Sequence, residues 1–315
     1  MDKFSVLQQY FGHSSFRPGQ EQVVDAIVSG QDVLGVMPTG AGKSVCYQVP
    51  AMLMPGLTLV ISPLISLMQD QVAALEEEGV HAACLNSALP EGLYSTILRA
   101  ALEGDYKILY VAPERLLTDS FLYLAMHARI AFVAVDEAHC VSQWGQDFRP
   151  SYLKIAEFIS RLPYRPVIGA FTATEQVKQD IIALLQLNQP FTLTTGFDRP
   201  NLYFGVARPR DKERYIEEYI LDHRDRSGIV YCATRKSVES VCKELRSVGI
   251  SATRYHAGLT PEERSKNQED FVYDRKRVMV ATNAFGMGID KSNVSFVLHY
   301  NMPKNLENYY QEAGR

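Results

Sequence analysis

Short, unbroken aliphatic runs recur along this chain, and each ends in a small or polar turn. In the first two-thirds they read "DVLGVM", "LTLVIS", "KILYVA", "AFVAVD" and "PVIGAFT". A run of Val, Ile and Leu without alternation has no polar face to offer water. It predicts strands buried on both sides, as in a parallel sheet with helices over each face. A looser stretch follows, "TGFDRPNLYFGVARPRDK", and then the pattern restarts with "GIVYCAT", "ISATRYH", "RVMVAT" and "VSFVLHY". The expected fold class is therefore α/β, with two parallel-sheet lobes at 1–205 and 206–315. A hinge is expected near residue 205, and the interlobe cleft is the default ligand site.

The totals agree with that plan. A length of 315 residues suits two domains, and 46% hydrophobic with 22% charged residues suits a globular protein in water. No apolar run reaches bilayer length, and the N-terminus has no signal pattern. Five scattered cysteines without a C-x-x-C pair predict reduced thiols and no structural zinc site here. A net charge of −4 does not advertise nucleic acid, but it leaves room for a local basic groove.

The strongest local signal is "VMPTGAGKS", placed where a strand runs into a helix. Gly40 and Gly42 let the backbone curl its N–H groups toward phosphate oxygens. Lys43 would hold the β- and γ-phosphates, and the Ser44 hydroxyl would ligate Mg²⁺. Met37, Pro38, Thr39 and Ala41 complete the loop. A second polar cluster, "DEAHC", closes "AFVAV". Asp136 at the end of a buried strand would be costly without a partner, and a Mg²⁺ shared with Ser44 supplies one. Glu137 is then placed to orient and deprotonate an attacking water. Acidic capping of the next helix is the plainer alternative for the pair. The segment "CVSQWGQDFRPSY" follows, holding the only tryptophan, Trp144, with Phe148 and Arg149. Aromatics beside an arginine suit stacking on unpaired bases with phosphate contact, and core packing is the alternative.

These motifs, with "FGHSSFRPGQ", "VISPLISLMQDQV", "YVAPERL", "FTAT", "FDRPNL", "YHAGL", "ATNAFGMGIDK" and "YYQEAGR", resemble the RecQ family of DNA helicases along nearly the whole chain. The resemblance implies two RecA-like lobes, ATP and Mg²⁺ as cofactors, and 3′-to-5′ travel on single-stranded DNA. It implies unwinding of partly duplex DNA in repair and recombination, in a bacterial cytoplasm or a nucleus, with no membrane. Gln20 would read adenine, because a carboxamide pairs with N6 and N7. Arg17 would lie over the base, with His13 as the stacking platform where the family usually has an aromatic residue. Ser62 would hold a DNA phosphate, or simply sit at a helix start. Thr282 would contact DNA phosphate or ATP, and Asp290 the ribose, unless "GMGID" is only a connector. His256 would contact DNA or be a satisfied histidine at a strand end. Glu175 stands where the family usually has alanine.

In the family, Gln311 and Arg315 belong to a motif that reaches the γ-phosphate and carries a second arginine. That motif is expected to continue beyond Arg315, along with a zinc site outside this chain. Two rivals follow: an RNA-directed or purely translocating ATPase of the same superfamily, and a nucleotide- and DNA-binding module with weak turnover.

Overall fold

The structure is a computed structural model of the 315-residue chain. It describes every residue except 39, 146–147, 174, 197–200, 284, 286–290, 292 and 315, and the side chains of 66, 261, 307 and 311. The chain divides into two compact units, Met1–Phe197 and Asp198–Arg315.

The first unit is built on β1 (Val33–Val36), β2 (Leu57–Ile61), β3 (Ala82–Leu85), β4 (Ile108–Val111), β5 (Ile130–Val135), β6 (Val167–Thr172) and β7 (Phe191–Thr194). They form one sheet in the order β3-β4-β2-β5-β6-β1-β7, and every pairing is parallel. Strand pleating explains the unbroken apolar runs. Leu34, Val36, Leu59 and Ile61 enter one core, while Val33, Met37, Val60 and Phe132 enter the other. Both faces are covered, so neither has positions left for polar residues.

The amino ends of the central strands are knotted by one carboxylate. Asp32, almost fully buried, accepts from Arg165 Nη1 (3.0 Å), Ile168 N (3.0 Å) and Asn188 N (2.7 Å). That single side chain ties the start of β1 to β6 and to the turn before β7.

The second unit holds β8 (Ser227–Tyr231), β9 (Ala252–Tyr255), β10 (Val278–Ala281) and β11 (Val294–His299), in the order β11-β8-β10-β9 and again parallel. Its helices begin on side-chain caps. Thr234 accepts from Ser237 N before Arg235–Ser247, and Thr260 with Glu263 makes a reciprocal capping box before Pro261–Val272. The α/β, parallel-sheet expectation is borne out. Two strands, β3 and β7, were not anticipated, and both lie at the edges of the first sheet.

Candidate active site

The phosphate loop leaves β1 at its carboxyl end and feeds the helix Val45–Leu53. Gly40 and Gly42 both adopt φ of +77°, a region glycine enters without strain. A Cβ at Gly42 would also lie 2.5 Å from Gln20 Nε2, so a larger residue there would displace the Gln20 amide as well as strain the loop. Ser44 sits at the helix start with its hydroxyl uncommitted to capping. Lys43 Nζ points back over the loop and donates to Met37 O at 3.4 Å, a long bond that phosphate oxygens could readily replace.

Asp136 follows β5, one strand removed from β1, so the two loops face each other about 10 Å apart across β6. Its carboxyl is buried, and its backbone is fixed by Asp136 N to Ile61 O (2.9 Å) and by Tyr152 Oη to Asp136 O (3.0 Å). Burial pushes this carboxyl above the usual carboxylate range, and the Glu137 charge adds to the effect. Lys43 and the Glu137 N–H pull the other way without cancelling it. Glu137 has φ of +45°, a left-handed conformation that costs a non-glycine residue about 1–2 kcal/mol. Such strain is typical of positions held for function. His139 Nδ1 lies 3.3 Å from Glu137 Oε2 and 3.2 Å from Thr172 Oγ1 at the end of β6.

The chemistry of these donors suits Mg²⁺. That ion prefers one or two carboxylates plus substrate phosphates, and a buried carboxylate short of positive charge is what this strand end offers. Among the described residues no cluster of three or more His, Cys, Asp or Glu side chains stands ready to hold a metal alone.

Gln20 opens the helix Gln20–Val28 and is buried. Its Nε2 donates to Ala41 O (3.1 Å) and Gly42 O (3.0 Å), while Oε1 accepts from Arg17 N (2.8 Å). Arg17 Nη1 donates to Gly40 O (2.5 Å), whereas His13 is exposed after the first helix, with its N–H donating to Leu7 O. Two of the three residues expected at adenine, Gln20 and Arg17, thus meet the phosphate loop, with the Gln20 amide occupied by the loop itself.

Trp144 is 86% exposed, so it is not a packing residue. Its backbone N–H donates to Ser142 Oγ (3.1 Å), and Ser142 Oγ donates to Asp180 Oδ2 (2.5 Å). Gly145 packs so tightly on the His139 carbonyl that a Cβ would sit 2.1 Å from that oxygen. Arg149 Nη1 donates to Pro63 O (2.6 Å), and Phe148 is half-buried. The aromatic segment is therefore strapped to the acid-pair segment and to the turn after β2. Asp180 gave no sequence signal, because it joins the site from 38 residues away.

Two expectations meet a different environment. Ser62 is fully buried, and its hydroxyl has no partner among the described residues; the next residue, Pro63, is held through its carbonyl by Arg149. Ser62 is not at a surface that a DNA phosphate reaches. His256 is buried too, and both its ring nitrogens are taken, Nε2 by Glu239 (2.9 Å) and Nδ1 by Gly258 N (3.2 Å). Thr282 is half-buried at the end of β10. Thr39, Asp290, Arg315 and the Gln311 side chain lie outside the described residues.

The sequence pattern of the DEAD/DEAH box helicase family matches residues 17–181, and that of the helicase conserved C-terminal domain matches 211–315. The chain belongs to the DEAD/DEAH box helicase family. Within this helicase family it is 48% identical over 99% of its length to an ATP-dependent DNA helicase RecQ from Bacillus subtilis, covering 53% of that protein. It is 46% identical over 98% of its length to the RecQ helicase of Pasteurella multocida, covering 49% of it. The resemblance to RecQ helicases is borne out, and the chain spans about half the length of these relatives. The helicase fold is also shared with yeast Dbp5 bound to RNA and ADP BeF3. That similarity has a TM-score of 0.78 at 18% identity, over 100% of this chain and 84% of Dbp5.

Proposed function

We propose that this chain is the core of an ATP-dependent DNA helicase, coupling Mg-ATP hydrolysis to 3′-to-5′ movement on single-stranded DNA and to duplex unwinding. The observation that carries the reading is the segment 136–149. A buried carboxylate raised in pKa and a fully presented tryptophan lie on one stretch of backbone, strapped together at Gly145 and Ser142. Chemistry at one end and an aromatic platform at the other is what a nucleic-acid-dependent ATPase requires.

The surroundings of the phosphate loop and the acid pair support the first of these tasks. The loop N–H groups and Lys43 bind the phosphates, and Ser44 with Asp136 would hold Mg²⁺, which neutralises phosphate charge when bound. Glu137, braced by His139, accepts the proton of the attacking water. Gln20, Arg17 and His13 recognise the base, and Trp144 stacks on DNA bases. Arg149 sets the turn beneath that platform. The proposal also assigns Asp290 to the ribose, Gln311 and Arg315 to the γ-phosphate, and Thr282 to a DNA phosphate. For Ser62 and His256 the burial described above favours structural roles.

The test is ATPase activity of the purified chain with no nucleic acid, with single-stranded DNA and with RNA. DNA should stimulate more than RNA. Lys43→Ala should lower turnover about 100-fold or more. Trp144→Ala should lose DNA stimulation while keeping the KM for ATP. Tailed duplexes of the two polarities then read direction. Stronger stimulation by RNA would sink the reading.

A further inference from the structure

The second unit carries a cavity of about 470 Å³ beside the helix Arg235–Ser247 and β9, an edge strand of its sheet. Lys236, Lys243, Arg246 and Arg254 line it, with Glu239 as the only carboxylate and Cys242 as the only apolar residue. The carboxylate is already committed. Glu239 Oε1 accepts from Arg254 Nε (2.8 Å) and from His256 Nε2 (2.9 Å). The Gly258 N–H donates to His256 Nδ1, which leaves the ring proton on Nε2, facing Glu239. His256 therefore braces Glu239, and Glu239 holds Arg254 at the wall of the cavity.

The other three cations have no carboxylate partner among the described residues. Lys236, Lys243 and Arg246 fall on one helix face and span about 15 Å of rise. Arg246 is oriented by its Nε donating to Ala252 O (2.9 Å). Charge is also unevenly shared between the units. The second has 20 basic and 17 acidic residues, the first 12 and 19, so the deficit of the whole chain resides in the first. A row of unpaired cations on a rigid helix matches a string of phosphates better than a single small anion. An acidic protein partner would look for an aromatic or aliphatic core in its interface, and this lining has none.

We propose that this groove binds the sugar-phosphate backbone of a nucleic-acid strand, with the His256–Glu239 pair fixing Arg254 as its inner wall. The inference rests on the DNA-helicase reading and adds a track on the flank of the second sheet, beside the strand ends that carry Thr282. The experiment measures single-stranded DNA binding by fluorescence anisotropy over a salt series. It compares the unmodified chain with the double variants Lys236→Glu/Lys243→Glu and Lys236→Arg/Lys243→Arg. The slope of log K against log salt should shrink by about 0.7 for each phosphate no longer neutralised, so by about 1.4 for the Glu pair. The Arg pair should keep the slope, and melting midpoints should match, because both positions are exposed. An unmodified chain that binds no DNA at any salt would remove the helicase reading and this inference with it. DNA binding with an unchanged slope in the Glu pair would overturn the groove alone. Loss of poly-glutamate binding with DNA binding intact would assign the groove to an acidic partner and overturn the proposal.

Discussion

At the scale of single residues, the site is defined by groups whose surroundings do not satisfy them. Burial, with the Glu137 charge adding to it, raises the Asp136 carboxyl from 3.8 to about 7. The folded state then holds this proton more tightly than the unfolded chain. Stability from this group falls as pH climbs through that window, and the full penalty stands above it. Asp136→Asn removes the penalty. Melting of the nucleotide-free protein in EDTA should rise by roughly 2–4 °C per kcal/mol relieved, with the gap over the parent widening from pH 4.5 to 7.5. An equal gap at both pH values would show that the carboxylate is not the cause. Ser62 is the converse case, a buried hydroxyl with no partner among the described residues. Leaving such a group unsatisfied costs about 1–3 kcal/mol, so Ser62→Ala should stabilise by about 1 kcal/mol in urea denaturation. It should leave DNA affinity unchanged, and a clear drop in affinity would restore Ser62 to the interface. The phosphate loop, the acid pair and Trp144 could be read from sequence because their spacing is local. The bonds from the Gln20 amide to the loop, Asp180 and the Glu239–His256 brace could not, since each pairs residues brought together only by folding.

At the scale of elements, what the sequence reveals depends on how deeply a strand is buried. β1, β2, β4, β5 and β6 have neighbours on both sides in the sheet order, and each was legible as an unbroken aliphatic run. β3 and β7 are edges, and β7 is only partly buried along its length. Edge position alone does not hide a strand, since β9 and β11 are edges of the second sheet and both were legible; β3 and β7 are only four residues each, and Ala, Cys and Thr leave them no aliphatic run. What joins β7 to the rest is the Asp32 knot, and its removal should show. Asp32→Ala leaves Arg165 and two backbone N–H groups without their acceptor. Arg165 is half-exposed and can turn to water, so the loss comes mainly from the two backbone N–H groups, about 1–3 kcal/mol each at most, to be read from the urea midpoint of the first unit. A loss below about 1 kcal/mol would mean the knot is dispensable. The knot lies at the amino end of the sheet, away from the phosphate loop, so KM for ATP should hold wherever the variant remains folded.

At the scale of the whole molecule, the second of the two compact units begins with a segment that has little to protect it. Residues 202–210 carry no helix or strand, and Arg208 and Arg210 are exposed. Limited trypsin digestion should cut there before anywhere else and leave two resistant fragments, because cleavage needs locally unfolded chain. First cuts inside either sheet would contradict the division. The same division means that thermal unfolding need not be a single transition, so each unit should be followed by its own probe.

The Gln20 amide has a consequence in time as well as in space. Its two hydrogens and its oxygen are engaged with Ala41, Gly42 and Arg17, and Arg17 in turn clasps Gly40. The base site is latched by the very side chains that would read the base. Entry must wait for the latch to release, so the observed association rate should climb with ATP concentration and then level off at the release rate. A plateau that Gln20→Ala removes would assign that step to the glutamine's release, and an unchanged linear rise would exclude it.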